Sequence, residues 1–187
     1  QRSIMNLEKE TGVSIMKIAE KLDTGPVCNS YKIEILNNDN AETISEKLSA
    51  IAAEKILDNI DEILEDQINF KEQDHSQASY AAKIEKNEGQ INWNETAEKI
   101  IGKINGLYPS PGAFFIYKGE RYKILKANLS FGSGEVGGVL DDYLEISCGN
   151  KKSIKVLEIQ RQGKRPQNIS EFMLGSQIKR GSNLNNA

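Results

Sequence analysis

Asp23 is the residue whose setting asks for chemistry. It sits in Leu22-Asp23-Thr24-Gly25-Pro26, a turn between two short apolar runs, Val13 to Ile18 and Val27 to Ile35. A carboxylate held at the rim of a sheet by such a turn can take a proton or orient a neighbouring base. The same residues also read as an ordinary turn, because Asp-Thr-Gly favours one and the Asp side chain often just bonds nearby backbone N–H groups. Spacing alone leaves both readings open.

Other chemistries drop out. Asp-Thr-Gly occurs in aspartic proteases, but that site needs two such acids sharing a proton, and the chain has no second copy. His75 is the only histidine; it lies in the polar run Lys71 to Gln77 and reads as an exposed linker residue, so no Ser-His-Asp triad can be assembled. Cys28 and Cys148 have no His or Cys neighbours at ligand spacing and read as reduced core thiols, which leaves no metal site. Gly132, Gly134, Gly137 and Gly138 lie between two strands, with no Lys-Ser/Thr after them, so they are turn glycines and not a phosphate loop.

Length and composition set the frame. A chain of 187 residues can hold one domain with a core, or parts of two. Its 38% hydrophobic and 27% charged content fits a soluble globular protein, and its apolar runs are too short to span a bilayer. The opening Gln1-Arg2-Ser3-Ile4 has no initiator methionine, basic start or apolar signal core, so no targeting segment is read. Residues 1–93 hold 10 basic and 18 acidic side chains, whereas residues 94–187 hold 14 and 9. A basic second half suits a polyanionic partner, though a merely solvated basic surface would look the same.

Several elements must position the acid. Val13 to Ile18 predicts a mostly buried strand, since its apolar residues fall on both faces. From Val27 to Ile35 apolar and polar residues alternate, giving a half-buried strand. Thr43-Ile44-Ser45-Glu46 matches a capping box, with a competing start at Asp39 to Glu42. The helix that follows packs the stripe Ile44, Leu48, Ile51, Ala52, Ile56, Ile60 and Ile63, with Glu46, Lys47, Lys55 and Asp58 in water.

A second unit starts near Trp93. Ala97, Ile100, Ile101 and Ile104 predict a short helix ending at Asn105-Gly106, before an irregular turn at Pro109-Ser110-Pro111-Gly112. Strands follow at Ala113 to Tyr117 and Tyr122 to Leu129 around a Lys118-Gly119 turn, then around Ile146 and from Ile154 to Ile159. Ser170 caps a last helix that turns Phe172 and Met173 inward, and the whole suits a small closed barrel.

The run Glu10-Thr11-Gly12-Val13-Ser14-Ile15-Met16, with Leu22-Asp23-Thr24-Gly25, resembles the formyltransferase family that uses formyl-tetrahydrofolate. Later pieces resemble its methionyl-tRNA formyltransferases: Gln73-Asp74, Ser76-Gln77-Ala78-Ser79-Tyr80-Ala81, Ile91-Asn92-Trp93, Pro109-Ser110-Pro111-Gly112-Ala113 and Gln160-Arg161-Gln162-Gly163-Lys164. The ordered series runs from Gln1 to about Leu184. The fold class it implies is α/β plus β. Residues 1–73 would be the C-terminal part of a Rossmann-like catalytic domain, 74–92 a linker, and 93–187 an OB-like β-barrel domain with flanking helices that contacts tRNA.

The resemblance also implies roles. Asp23 corresponds to the third catalytic residue, an acid that orients or deprotonates a His supplied, with an Asn, by an earlier half that this sequence lacks. Leu22, Thr24 and Gly25 would shape the loop beside 10-formyltetrahydrofolate, the formyl donor. Pro26 stands where the family often has an acidic residue. Lys164, Arg165, Lys151 and Lys152 would contact phosphates of methionyl initiator tRNA. The implied protein is a cytoplasmic monomer of translation initiation with no membrane contact and no metal, and these 187 residues alone would be inactive. Two alternatives stay open: another formyl-tetrahydrofolate-dependent formyltransferase or hydrolase, and a tRNA-binding module without activity.

Overall fold

The computed structural model describes residues 1–185, which fall into two units: Glu8–Lys83, and Gln1–Leu7 together with the residues from Ile84 on. The first holds an antiparallel hairpin of β1 (Glu10–Met16) and β2 (Val27–Glu34), with the long helix α2 (Ala41–Leu64) packed on β1. Alternation in β2 is as the sequence predicts. β1 starts three residues before the predicted Val13 and ends two before Ile18, and it is not buried: Thr11, Val13 and Ile15 are half-buried, and the residues between them face outward. After a register shift at Ile15/Met16 the ladder ends with Met16 opposite Val27, and Ile18 is fully exposed in the loop beyond.

The start of α2 differs from both predicted starts. Asn40 is the N-cap, its side chain accepting from Thr43 N at 2.9 Å while Thr43 Oγ1 accepts from Asn40 N at 3.0 Å. Asp39, one residue earlier, is buried and accepts from Leu36 N, Thr43 Oγ1 and Lys47 Nζ, so Lys47 is ion-paired and not simply wet. Burial raises the Asp39 carboxyl's pKa, but the bonds from Lys47, Leu36 and Thr43 outweigh it and hold the group below its ordinary value. A depressed folded pKa gives stability that is present above the ordinary carboxylate range and lost as pH falls through the folded value. Asp39→Ala therefore lowers unfolding free energy by about 2 kcal/mol at neutral pH. In urea titrations its deficit against wild type narrows on acidification below about pH 4; a deficit constant down to pH 2 would contradict this.

The packed stripe of α2 also turns away from the predicted one. Ala52 and Ile56 are exposed, and Lys55 and Asn59 take the inner positions. Asn59 is buried because all its bonds are made: it accepts from Asn29 Nδ2 at 2.7 Å and donates to Tyr31 Oη at 2.8 Å and Lys55 O at 2.7 Å. The Lys55 ammonium sits over the Tyr31 ring at 5.7 Å and between Glu54 and Asp58.

In the other unit, α1 (Arg2–Met5) packs on α3 (Ala97–Gly106). The approach needs glycine, since a Cβ on Gly106 would lie 2.9 Å from Gln1 O and one on Gly102 3.0 Å from Ile4 O. Arg2 and Glu88 form an ion pair beside this contact. Strands β3 (Ala113–Tyr117), β4 (Glu120–Ser130), β5 (Glu145–Ser147) and β6 (Ser153–Arg161) form a curled antiparallel sheet in the order β3-β4-β6-β5, with β7 (Gln167–Asn168) on β6. Register shifts between Ile124 and Ala127 in β4 increase its twist.

The sheet's inner face and α3 bury Ile100, Ile104, Ile124, Ile146, Ile154 and Ile159. A run of rings crosses this core: Trp93 to Phe115 at 5.9 Å, Phe115 to Tyr122 at 5.4 Å, and Tyr122 to Phe172 at 5.9 Å. Helix α4 (Ile169–Gly175) buries Phe172, but its cap is Asn168, which accepts from Glu171 N at 3.0 Å; Ser170 lies inside the helix. Two amides of the glycine-rich loop are committed internally, Gly132 N to Glu145 Oε1 and Gly134 N to Ser147 Oγ, each at 3.2 Å. No described helix is long and apolar enough to cross a membrane.

Candidate functional site

The β1–β2 connection is a shaped loop. Lys17 N donates to Pro26 O at 3.0 Å at its base, and Thr24 Oγ1 to Lys21 O at 2.9 Å inside it. At Gly25 the chain runs so close to the opposite limb that a Cβ would lie 1.8 Å from Lys17 O; no side chain fits there. Asp23 adopts φ +56°, a left-handed conformation that Asp tolerates better than most residues. Leu22 and Asp23 are exposed, Thr24 is half-buried and Gly25 is buried.

Gln73 closes the loop from below. Its Nε2 donates to Asp23 O at 2.9 Å and to Gly25 O at 2.7 Å, one side chain bracing both flanks of Thr24. The strand-like pairing of Val27 with Lys71, N to O in both directions at 2.8 and 2.9 Å, brings Gln73 there. The backbone of Asp23 is thus fixed, while its carboxylate makes no hydrogen bond or ion pair among the described residues. This is the opposite of the ordinary-turn reading, in which the carboxylate would be occupied by local N–H groups.

Sequence reasoning missed Gln73 as a working residue, although it stands first in the Gln73-Asp74 motif. Its partners lie 48 and 50 positions away, beyond any local pattern. His75 is exposed in a short 3-10 turn, Cys28 is half-buried and Cys148 is buried. Burial pushes the Cys148 thiol up to about 12, so it stays protonated at neutral pH. Among the described residues no group of three His, Cys, Asp or Glu side chains could hold a metal.

The four basic candidates separate into two pairs at opposite ends of β6, whose nine residues span roughly 25 Å. Lys164 and Arg165 follow the Gly163 turn and line a cleft of about 310 Å³ with Arg161, Glu120, Tyr122 and Glu171. Both are exposed. Arg161 is tied to Glu120, and that guanidinium holds the Glu120 carboxyl below its ordinary range. At the other end Lys151 is exposed, whereas Lys152 pairs with Glu98 of α3, which also accepts from Asn150 Nδ2 at 2.9 Å. One phosphate cannot meet both pairs.

Sequence comparison assigns the class. Residues 1–60 match the formyl transferase family and residues 83–177 match its C-terminal domain; the chain belongs to the formyl transferase family. It is 70% identical over 186 residues to the methionyl-tRNA formyltransferase of Pelagibacter ubique, covering 100% of this chain and 60% of that protein. To the methionyl-tRNA formyltransferase of Thermodesulfovibrio yellowstonii it is 39% identical over 182 residues, covering 97% and 59%. The chain thus spans about 60% of the length of these relatives. Among solved structures, HypX from Aquifex aeolicus in complex with tetrahydrofolic acid has the same fold, with a TM-score of 0.70 at 16% identity over 96% of this chain and 33% of that one.

Proposed function

We propose that this chain is the C-terminal part of a methionyl-tRNA formyltransferase, which moves a formyl group from 10-formyltetrahydrofolate to the α-amino group of methionyl initiator tRNA. The observation that carries the reading is the 70% identity over 186 residues to a protein of that name. The loop geometry supports it. Asp23 offers a carboxylate with no partner in its own unit, on a backbone that Gln73 and the Gly25 approach hold in place.

The chemistry follows from that geometry. The attacking amine must lose a proton as its nitrogen bonds to the formyl carbon, and Asp23 orients or deprotonates the His that relays it. Asn and His donors from the preceding segment stabilise the oxyanion that develops. The formyl donor supplies the electrophilic carbon when bound, and the exposed Leu22 beside Thr24 and Gly25 offers an apolar wall suited to a flat ring. Residues up to 73 complete the catalytic domain, 74–92 link it onward, and 93–187 form an OB-like domain that holds tRNA by its phosphates through Lys164, Arg165, Lys151 and, after release from Glu98, Lys152. The protein is a cytoplasmic monomer of translation initiation.

The test compares the longer protein with this chain. The longer protein formylates charged initiator tRNA, and the 187-residue chain does not. Formylation of a sugar amine with charged tRNA left untouched would replace the reading, and turnover by the chain alone would refute the incomplete site.

A further inference from the structure

Among the described residues no bond aims the Asp23 carboxylate, so its direction is set by the backbone alone. That backbone lies in the left-handed region at φ +56°, which an L-residue leaves for more favourable regions unless its surroundings hold it there. Gln73 supplies the hold. Its bond to Asp23 O at 2.9 Å fixes the peptide that follows Asp23, and its bond to Gly25 O at 2.7 Å fixes the one that follows Gly25. Both come from one amide nitrogen, whose two N–H groups are thereby used up, so the side chain has a single place to sit. The Thr24 bond to Lys21 O lies inside the loop and ties neither carbonyl.

Gln73 is itself anchored on both sides. Lys71, two positions earlier, pairs with Val27 in both directions. Asp74, the next residue, accepts from Ser76 N at 3.0 Å, Ser76 Oγ at 2.6 Å and Gln77 Nε2 at 2.6 Å. These bonds, that of the Ser76 hydroxyl first, hold the Asp74 carboxyl below its ordinary range, so it caps this turn as a carboxylate at neutral pH. The polar run Lys71 to Gln77 is therefore built onto the Asp23 loop, within the Glu8–Lys83 unit.

We infer that Gln73 is a positioning residue for formyl transfer, acting through Asp23 by keeping its carboxylate aimed. Displacing a reacting group by about 1 Å costs up to about a hundredfold in rate. Two bonds from a half-buried side chain therefore bear on kcat more than on stability. The inference rests on the role given to Asp23 above and extends it to a residue 50 positions further along the chain.

The experiment is a double-mutant cycle in the longer protein, read by single-turnover formyl transfer to methionyl-tRNA with Gln73→Met, Asp23→Asn and the double variant. Met matches Gln in length and donates nothing. Gln73→Met alone lowers the rate about tenfold, and steady-state KM for both substrates stays within about twofold of wild type. In the Asp23→Asn background the same substitution adds less than about a twofold loss, because the carboxylate it aims is gone. A merely structural role costs the same factor in both backgrounds, or lowers the unfolding midpoint with the rate unchanged, and either result overturns the inference. If Gln73→Met fails to fold, Gln73→Asn, whose amide is one methylene short of the two carbonyls, carries the same cycle. A wild-type rate in Asp23→Asn overturns the reading of Asp23 and the inference with it, whereas a large loss there beside a wild-type rate in Gln73→Met overturns the inference alone.

Discussion

Gly25→Ala prevents the β1–β2 loop from closing and destabilises the Glu8–Lys83 unit by about 3 kcal/mol. The contact is with backbone, a Cβ 1.8 Å from Lys17 O, so no side-chain rotation relieves it. Relief requires Lys17 and Pro26 to part, which breaks the 3.0 Å bond at the loop base and pulls Asp23 and Gly25 away from Gln73. Activity of the longer protein falls with it, because the acid is displaced. Gln73→Ala is the milder companion: it removes two bonds to exposed and half-buried carbonyls and costs about 1 kcal/mol. Chemical denaturation of both variants checks the ranking. Equal stability of Gly25→Ala and wild type would show that the close approach does not persist in solution.

Asp23→Asn in the longer protein lowers kcat for formylation of methionyl-tRNA by about a hundredfold to a thousandfold, the range for a positioned group acting in proton transfer. Asn is the informative replacement. It accepts the left-handed φ of +56° as readily as Asp, so the loop keeps its shape and only the charge is lost. The unfolding midpoint stays at the wild-type value, and KM for tRNA changes little, since the loss falls on the transition state and not on binding. A rise in KM with kcat unchanged would instead mark Asp23 as a binding residue.

How much of this was legible in the sequence depends on how far apart the partners lie. The alternation from Val27 to Ile35 and the turn at Lys118-Gly119 depend on neighbouring residues and appear as read. The stripe of α2 failed at Asn59, because the bonds that make a buried Asn tolerable come partly from Asn29 and Tyr31, about thirty positions upstream. Helix starts failed for a different reason. Asn40 and Thr43 satisfy the same capping rule as Thr43 and Glu46, and the choice turns on Asp39 being drawn to Lys47.

The candidate site divides in the same way. Asp23 was visible as an acid in a turn, and the ordered family motifs raised it above the ordinary reading. Gln73, which braces its backbone, was visible only as a letter in a motif. Val13 to Ile18 looked buried because apolar residues fall on both of its faces, yet the strand ends at Met16, and Ile18 lies in solvent in the loop beyond.

The most direct measurement is single-turnover formyl transfer in the longer protein, wild type against Asp23→Asn, with methionyl-tRNA and 10-formyltetrahydrofolate both saturating. Binding then drops out and the rate reports the chemical step. If Asp23 acts in the proton transfer, the variant loses at least about a hundredfold with wild-type stability; a single-turnover rate within twofold of wild type rules out that role.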